Sequence, residues 1–193
     1  MARFGTTIDM TALSRNALRL AELSKTASQR VITRSIATLR RRMATETRRF
    51  VSDEYGISTR ELGQRITTDS TVDTVTVYGT TPRIPLIKFN GHYSGRRSVG
   101  ATAEIIRGQV KTYSGAFFSK GKKNIVARGI NKATGKRYGR LPIVVLHGPT
   151  PESMVLGGGS VVTSATPAAR VAAIAGEIFA AEVGRLLDVE SAR

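Results

Sequence analysis

The chain has 193 residues, no cysteine, no tryptophan and a formal net charge of +16, from 30 Lys and Arg against 14 Asp and Glu. That length supports one domain with a real core, and a hydrophobic content of 40% excludes a wholly disordered chain. The missing cysteine excludes disulfides, thiolate metal sites and cysteine nucleophiles, while the charge surplus points to a polyanionic partner or to acidic neighbours in an assembly.

The basic surplus is unevenly placed. Residues 11–51 carry ten basic and two acidic side chains, and residues 52–82 carry two and five. Residues 83–140 carry fourteen basic side chains against Glu104 alone, and residues 141–193 carry three basic and five acidic. Two basic and two acidic blocks suit copies that meet head to tail in a ring, with one surface left for nucleic acid.

The N-terminus, Met1-Ala2-Arg3-Phe4-Gly5, continues into Thr and Asp without the apolar run of a signal peptide. Residues 11–51 contain no Gly or Pro and read as one long helix, or two with a bend. Leu20, Leu23, Ala27 and Val31 recur at spacings of three and four, and Ile32, Ile36, Leu39, Met43 and Phe50 continue on a shifted stripe. At 1.5 Å per residue this stretch reaches roughly 60 Å, longer than a domain of this size needs. Its polar positions carry the arginine pairs and triplet Arg40, Arg41, Arg42, Arg48 and Arg49.

Gly56 is expected to stop that helix. Ser58 and Glu61 then form a capping-box pattern that opens a short helix to about Arg65, burying Ile57, Leu62 and Ile66. The alternating Thr and Val of residues 71–78 predict a strand, and Ile84–Phe89 a second extended segment whose Pro85 argues for an edge or an irregular stretch. Residues 103–111, 116–118 and 124–130 predict further strands. They are linked by basic hairpin tips at Lys120, Lys122 and Lys123 and at 131–136. Leu141–Leu146 is apolar at every position, which predicts a central strand, and is far too short for the roughly 20 residues that span a bilayer. Residues 150–164 read as a connection around Gly157-Gly158-Gly159. Thr166-Pro167 then opens a C-terminal helix to Val189, with Val171, Ile174, Ala175, Ile178, Val183, Leu186 and Leu187 on its apolar face. The expected architecture is a single α+β domain over 1–193. It has a long basic N-terminal helix (11–51), a mostly antiparallel five- or six-stranded sheet with basic hairpin loops (70–147) and a C-terminal helix (166–189) packed on the sheet.

No catalytic pattern emerges. His92 and His147 lack a metal-binding context, and no serine sits in a nucleophile elbow. Gly135-Lys136 has no phosphate loop around it, and the carboxylates are not paired for acid-base work. The expectation is a non-enzymatic binding and assembly module with no cofactor and no metal. Aromatics do not interleave with the basic hairpins, so any nucleic-acid contact would be sequence-blind attraction to phosphate, through Arg40, Arg41, Arg42, Arg48, Arg49, Lys120, Lys122 and Lys123.

One stretch is distinctive. Gly115-Ala116-Phe117-Phe118 is followed by the basic loop, then Arg140-Leu141-Pro142-Ile143, then Gly148-Pro149-Thr150-Pro151-Glu152-Ser153-Met154. With the upstream Tyr55-Gly56-Ile57-Ser58 element, it resembles the prophage minor tail protein Z family, Thr150 standing where Ser is expected. Physically, Pro142 begins a strand where its missing N–H costs little, Gly148-Pro149 and Pro151 turn the chain out of the sheet, and Met154 plugs an apolar gap. The resemblance implies a tail-completion subunit of a long-tailed bacteriophage, made in the host cytoplasm. It would act at the head-proximal end of the tail as a homo-oligomer, a hexameric ring, beside the terminator, stopper and tail tube. There it would touch the genome end by phosphate contact, away from any membrane. Competing readings are another neck component (head–tail adaptor, stopper or terminator), a free sequence-independent DNA-binding protein, and a nuclease, which the scattered carboxylates oppose.

Overall fold

The computed structural model describes residues 3–6 (backbone only), 16, 19–21, 23–71, 74–93, 95, 99–119, 121, 123–129, 142–157 and 167–192. It is a mixed α+β fold. Helix α1 (Lys25–Glu54) leads into the short helix α2 (Thr59–Leu62), and helices α3 (Pro151–Leu156) and α4 (Pro167–Ser191) close the chain.

Of the two expected readings, one long helix or two with a bend, the broken one is found, and α1 itself has 30 residues, about 45 Å. Residues 16 and 19–21 are helical, but the chain breaks at Leu23 and Ser24. Ser24 restarts the helix as its N-cap, its hydroxyl accepting from the Ala27 amide at 3.3 Å. The earlier turns instead lie along α4. Asn16 donates to the Ala180 carbonyl at 3.2 Å, and Arg19 pairs with Asp188 at 2.7 Å. The helix ends at an extended Tyr55. Gly56 is needed there because a Cβ would collide with the Glu104 carbonyl. Ser58 caps α2 by accepting from the Glu61 amide, as its capping-box pattern implies.

The single five- or six-stranded sheet is not what forms. Among the described residues three antiparallel three-stranded sheets form instead, because Gly and Pro interrupt the β region between them. The first, ordered β1-β3-β2, joins β1 (Arg3–Thr6), β2 (Ile66–Ser70) and β3 (Val75–Gly79). Residues 71–78 are thus part of a hairpin rather than one strand. Thr71 and Thr74 close its turn through a 2.7 Å hydroxyl pair and the Thr71 amide on the Thr74 carbonyl. After β3 the chain forms a 3-10 turn at Leu86–Lys88 where an extended segment was expected, with only a bridge between Pro85 and His147.

The second sheet, β4-β5-β6, holds β4 (His92–Tyr93), β5 (Ala101–Ile106) and β6 (Gln109–Tyr113). The expected 103–111 strand is a hairpin turning at Arg107-Gly108, with Gly108 at φ 82°. The third sheet, β7-β8-β9, holds β7 (Phe117–Phe118), β8 (Ile125–Arg128) and β9 (Ile143–Val145). Here the central strand is β8, buried at Ile125, Val126 and Ala127. The strand expected to be central, β9, is an edge, with Ile143 and Val144 each 49% exposed. Apolarity at every position does not distinguish a buried strand from an exposed edge.

Helix α4 packs chiefly on α1 rather than on a sheet, with further contacts to β1 and α3. The buried small residues Ala175 and Gly176 permit the close approach. The larger core joins Val31, Leu39, Met43 and Val51 of α1 to Val171, Val183 and Leu187 of α4. It extends to Ile66, Val75 and Val77 of the first sheet and to Met154 of α3. Each fully buried side chain of this size contributes about 1.5–3 kcal/mol. A smaller core of Leu86, Ala101, Ala103, Ala116, Ile125 and Ala127 lies between the other two sheets, and Ile105 touches both cores. Ile32, placed on the apolar stripe by spacing, is 37% exposed.

Candidate functional site

Three successive side chains fan through about 300° around a helix, so Arg40, Arg41 and Arg42 cannot share one buried face. All three are exposed, as is Arg49. Among the described residues five ion pairs form, and none of them uses these four arginines. Arg48 is different. Its Nε and Nη2 both donate to the Ile66 carbonyl, at 3.1 and 2.7 Å, and tie the start of β2 to α1. The same seam is closed at its other end by Thr68 donating to the Arg40 carbonyl at 3.1 Å. Arg48 therefore has a structural task, which its position in a basic helix did not reveal.

Arg41 and Arg42 line an open groove of about 630 Å³ between α1 and α4, with Thr38, Thr45, Glu46, Ile174 and Ile178. Glu182 lies beside it and accepts from Arg185 at 3.0 and 2.7 Å and from Thr38 at 3.3 Å. The Arg185 hydrogen bonds hold its carboxyl below the usual carboxylate range, with smaller contributions from the Thr38 hydroxyl and the Arg42 charge. This surface mixes cations, carboxylates and two isoleucines.

A second polar cleft, of about 750 Å³, lies where α2 meets β3. It is lined by Arg60, Glu61, Gln64, Arg65, Thr80, Thr81 and Pro82. Arg60 and Arg65 do not stand out in the sequence, since they sit in a block with an acidic surplus. Helix α2 and the turn after it carry them, the Arg65 amide donating to the Leu62 carbonyl at 3.0 Å, and the Thr80 amide donates to the Arg65 carbonyl at 2.9 Å and ties them to the end of β3.

Of the hairpin lysines, Lys123 is exposed, while Lys120, Lys122 and the turn 131–136 lie outside the described residues. So do Arg140 and Leu141 of the distinctive motif, Gly158, Gly159 and Thr166. The rest of the motif is scaffold. Gly115 turns the chain at φ 69°, and Ala116 is buried just before Phe117 enters β7. The Pro142 carbonyl accepts from the Gly129 amide at 2.8 Å ahead of Ile143 in β9. Gly148 lies against the Phe89 ring, where a Cβ would fall 2.5 Å from a ring carbon. Gly148 donates to the Ile84 carbonyl at 2.8 Å, and the Ile84 amide donates to the Pro149 carbonyl at 3.4 Å. Thr150 then caps α3, Pro151 fills its first turn, and Met154 is fully buried. Residues 151–156 thus form a helix inside what reads as a connecting stretch.

His92 and His147 are both exposed. Among the described residues, no group of three or more His, Asp or Glu is placed to hold a metal ion, and no helix is long and apolar enough to cross a membrane. Neither a protein-family model, nor a curated protein sequence, nor a solved structure matches the chain.

Proposed function

We propose that the chain is a structural tail-completion subunit of a long-tailed bacteriophage, forming a hexameric ring at the head-proximal end of the tail. The observation that carries this reading is the motif around Pro142, Ile143, Gly148, Pro149, Pro151 and Met154. It resembles the minor tail protein Z family in sequence, and its described residues pack as a scaffold junction between two sheets and α3. Two further features support it. Charge is segregated along the chain, which suits pairing of acidic and basic faces in head-to-tail contacts. The groove with Arg41, Arg42, Ile174 and Ile178 also has the mixed chemistry of a subunit contact. The deciding experiment is a reconstruction of particles from a phage that encodes the chain. Six copies closed in a ring at the neck are expected, and phage lacking the chain should accumulate tails that do not join heads. Infectious particles formed without it would end the reading. A copy placed elsewhere in the neck would favour an adaptor, stopper or terminator.

A further inference from the structure

Two depressions among the described residues are each lined by a pair of arginines, and they differ in balance. The α1–α4 groove sets Arg41 and Arg42 against Glu46, with Glu182 nearby and two isoleucines in its wall. In the α2–β3 cleft the only carboxylate among the described lining residues is Glu61, and it is already neutralised by Lys88 at 2.6 Å. Arg60 and Arg65 are left there with no carboxylate partner among the described residues, beside the Gln64 amide and the Thr81 hydroxyl. Every one of these groups can donate a hydrogen bond to an oxyanion.

The cleft is also held in shape. The Thr80 amide fixes the Arg65 backbone, the Glu152 amide donates to the Thr80 carbonyl at 3.4 Å, and Arg48 clamps the adjacent Ile66 carbonyl. Gly79 lets α3 approach this edge, since a Cβ would fall 2.6 Å from the Glu152 backbone. Each guanidinium is a planar fork of donors that matches phosphate oxygens, and two of them line this one cleft. Among the described residues no aromatic side chain lines the cleft, so these offer a base nothing to stack on.

We infer that the α2–β3 cleft, through Arg60 and Arg65 with Gln64 and Thr81, is a phosphate-binding site for the backbone of double-stranded DNA, read without regard to sequence. The inference does not depend on the tail-completion reading, because a single unassembled subunit carries the whole cleft. The site also differs from the Arg40–Arg42 face that the sequence put forward.

The test uses purified full-length protein, a short duplex of mixed sequence and, separately, inorganic phosphate, each followed by amide chemical shifts and the duplex also by fluorescence anisotropy. Both ligands should move the Gln64, Arg65, Thr80 and Thr81 amides. R60Q/R65Q should weaken duplex binding by at least tenfold at low salt. It should also lower the slope of log affinity against log salt by about 1.8, at about 0.9 per phosphate. R60K/R65K should keep most of the slope, which a folding defect would not. Unchanged affinity and slope in R60Q/R65Q would overturn the site. Shifts with free phosphate but none with duplex would overturn the DNA backbone as its ligand. Shifts confined to Arg41 and Arg42 would move the contact to the other groove. Because the monomer suffices, a negative result here leaves the ring to be judged by particle reconstruction alone.

Discussion

At the residue scale, Gly148 sits against the Phe89 ring, where a Cβ would fall 2.5 Å from a ring carbon. Gly148-Pro149 announces a turn in any context, and this contact is the reason for the glycine. Gly148→Ala should therefore cost about 1–3 kcal/mol of stability by overpacking. Thermal unfolding would show it, and an unchanged Tm would mean that Phe89 moves aside freely. Arg48 had no such signal. It looked like its neighbours Arg40, Arg41, Arg42 and Arg49 until β2 was placed beside it. Arg48→Met keeps the stem but leaves the half-buried guanidinium bonds to the Ile66 carbonyl unmade. A loss of about 1–3 kcal/mol is expected, whereas Arg49→Met, on an exposed side chain, should change stability by less than about 0.5 kcal/mol. Equal effects for the two would remove the distinction drawn between them.

At the scale of elements, helices were read better than strands. The 3.6-residue period of α1 and α4 is sustained over many turns, so Val31, Leu39, Met43, Val171, Val183 and Leu187 all fall in the core. The strands are two to six residues long, too short for a period of two to mark where one ends and its partner begins. Residues 103–111 read as continuous although Arg107-Gly108-Gln109 is itself a turn signal, because the apolar residues on either side are too few to mark two separate strands. The stability of this turn rests partly on Glu104, which accepts from the Asn90 side chain at 2.8 Å and the Gly108 amide at 2.5 Å. The Asn90 bond first, then the Gly108 amide, lowers its carboxyl below the usual range. A carboxyl lowered in the folded state contributes stability above its unfolded value and loses it as pH falls through the folded value. Exchange of the Gly108 amide should therefore accelerate at the acid end of the carboxylate range in the wild type. It should already be fast and much less pH-sensitive, after correction for intrinsic exchange, in Glu104→Ala. Identical corrected profiles would show that the turn holds without Glu104.

At the scale of the whole molecule, α+β was legible from the order of helical and alternating segments. What packs on what was not. Helix α4 carries an apolar face that fits a sheet or a helix equally well, and its small residues settle on α1. That choice creates the groove in which Arg41 and Arg42 stand beside Ile174, Ile178 and Glu46, a juxtaposition of residues more than 120 positions apart. It also separates two arginine pairs that composition alone lumps together, and their uses should separate too. A surface that mixes apolar side chains with both signs of charge suits a protein neighbour, where like charges brought together on docking are costly. Arg41→Glu with Arg42→Glu should therefore block assembly while leaving the subunit folded, since both side chains are exposed. A reversal of the acidic side chain they meet on the neighbouring copy should restore it. R60Q/R65Q should do the reverse, giving complete rings and tails that hold DNA poorly. Native mass spectrometry and negative-stain counts of joined particles would read both variants in one experiment. Normal assembly of the Arg41 and Arg42 reversal, together with lost duplex binding, would exchange the two roles. Normal assembly and normal infectivity would leave these arginines as a solvated face of α1.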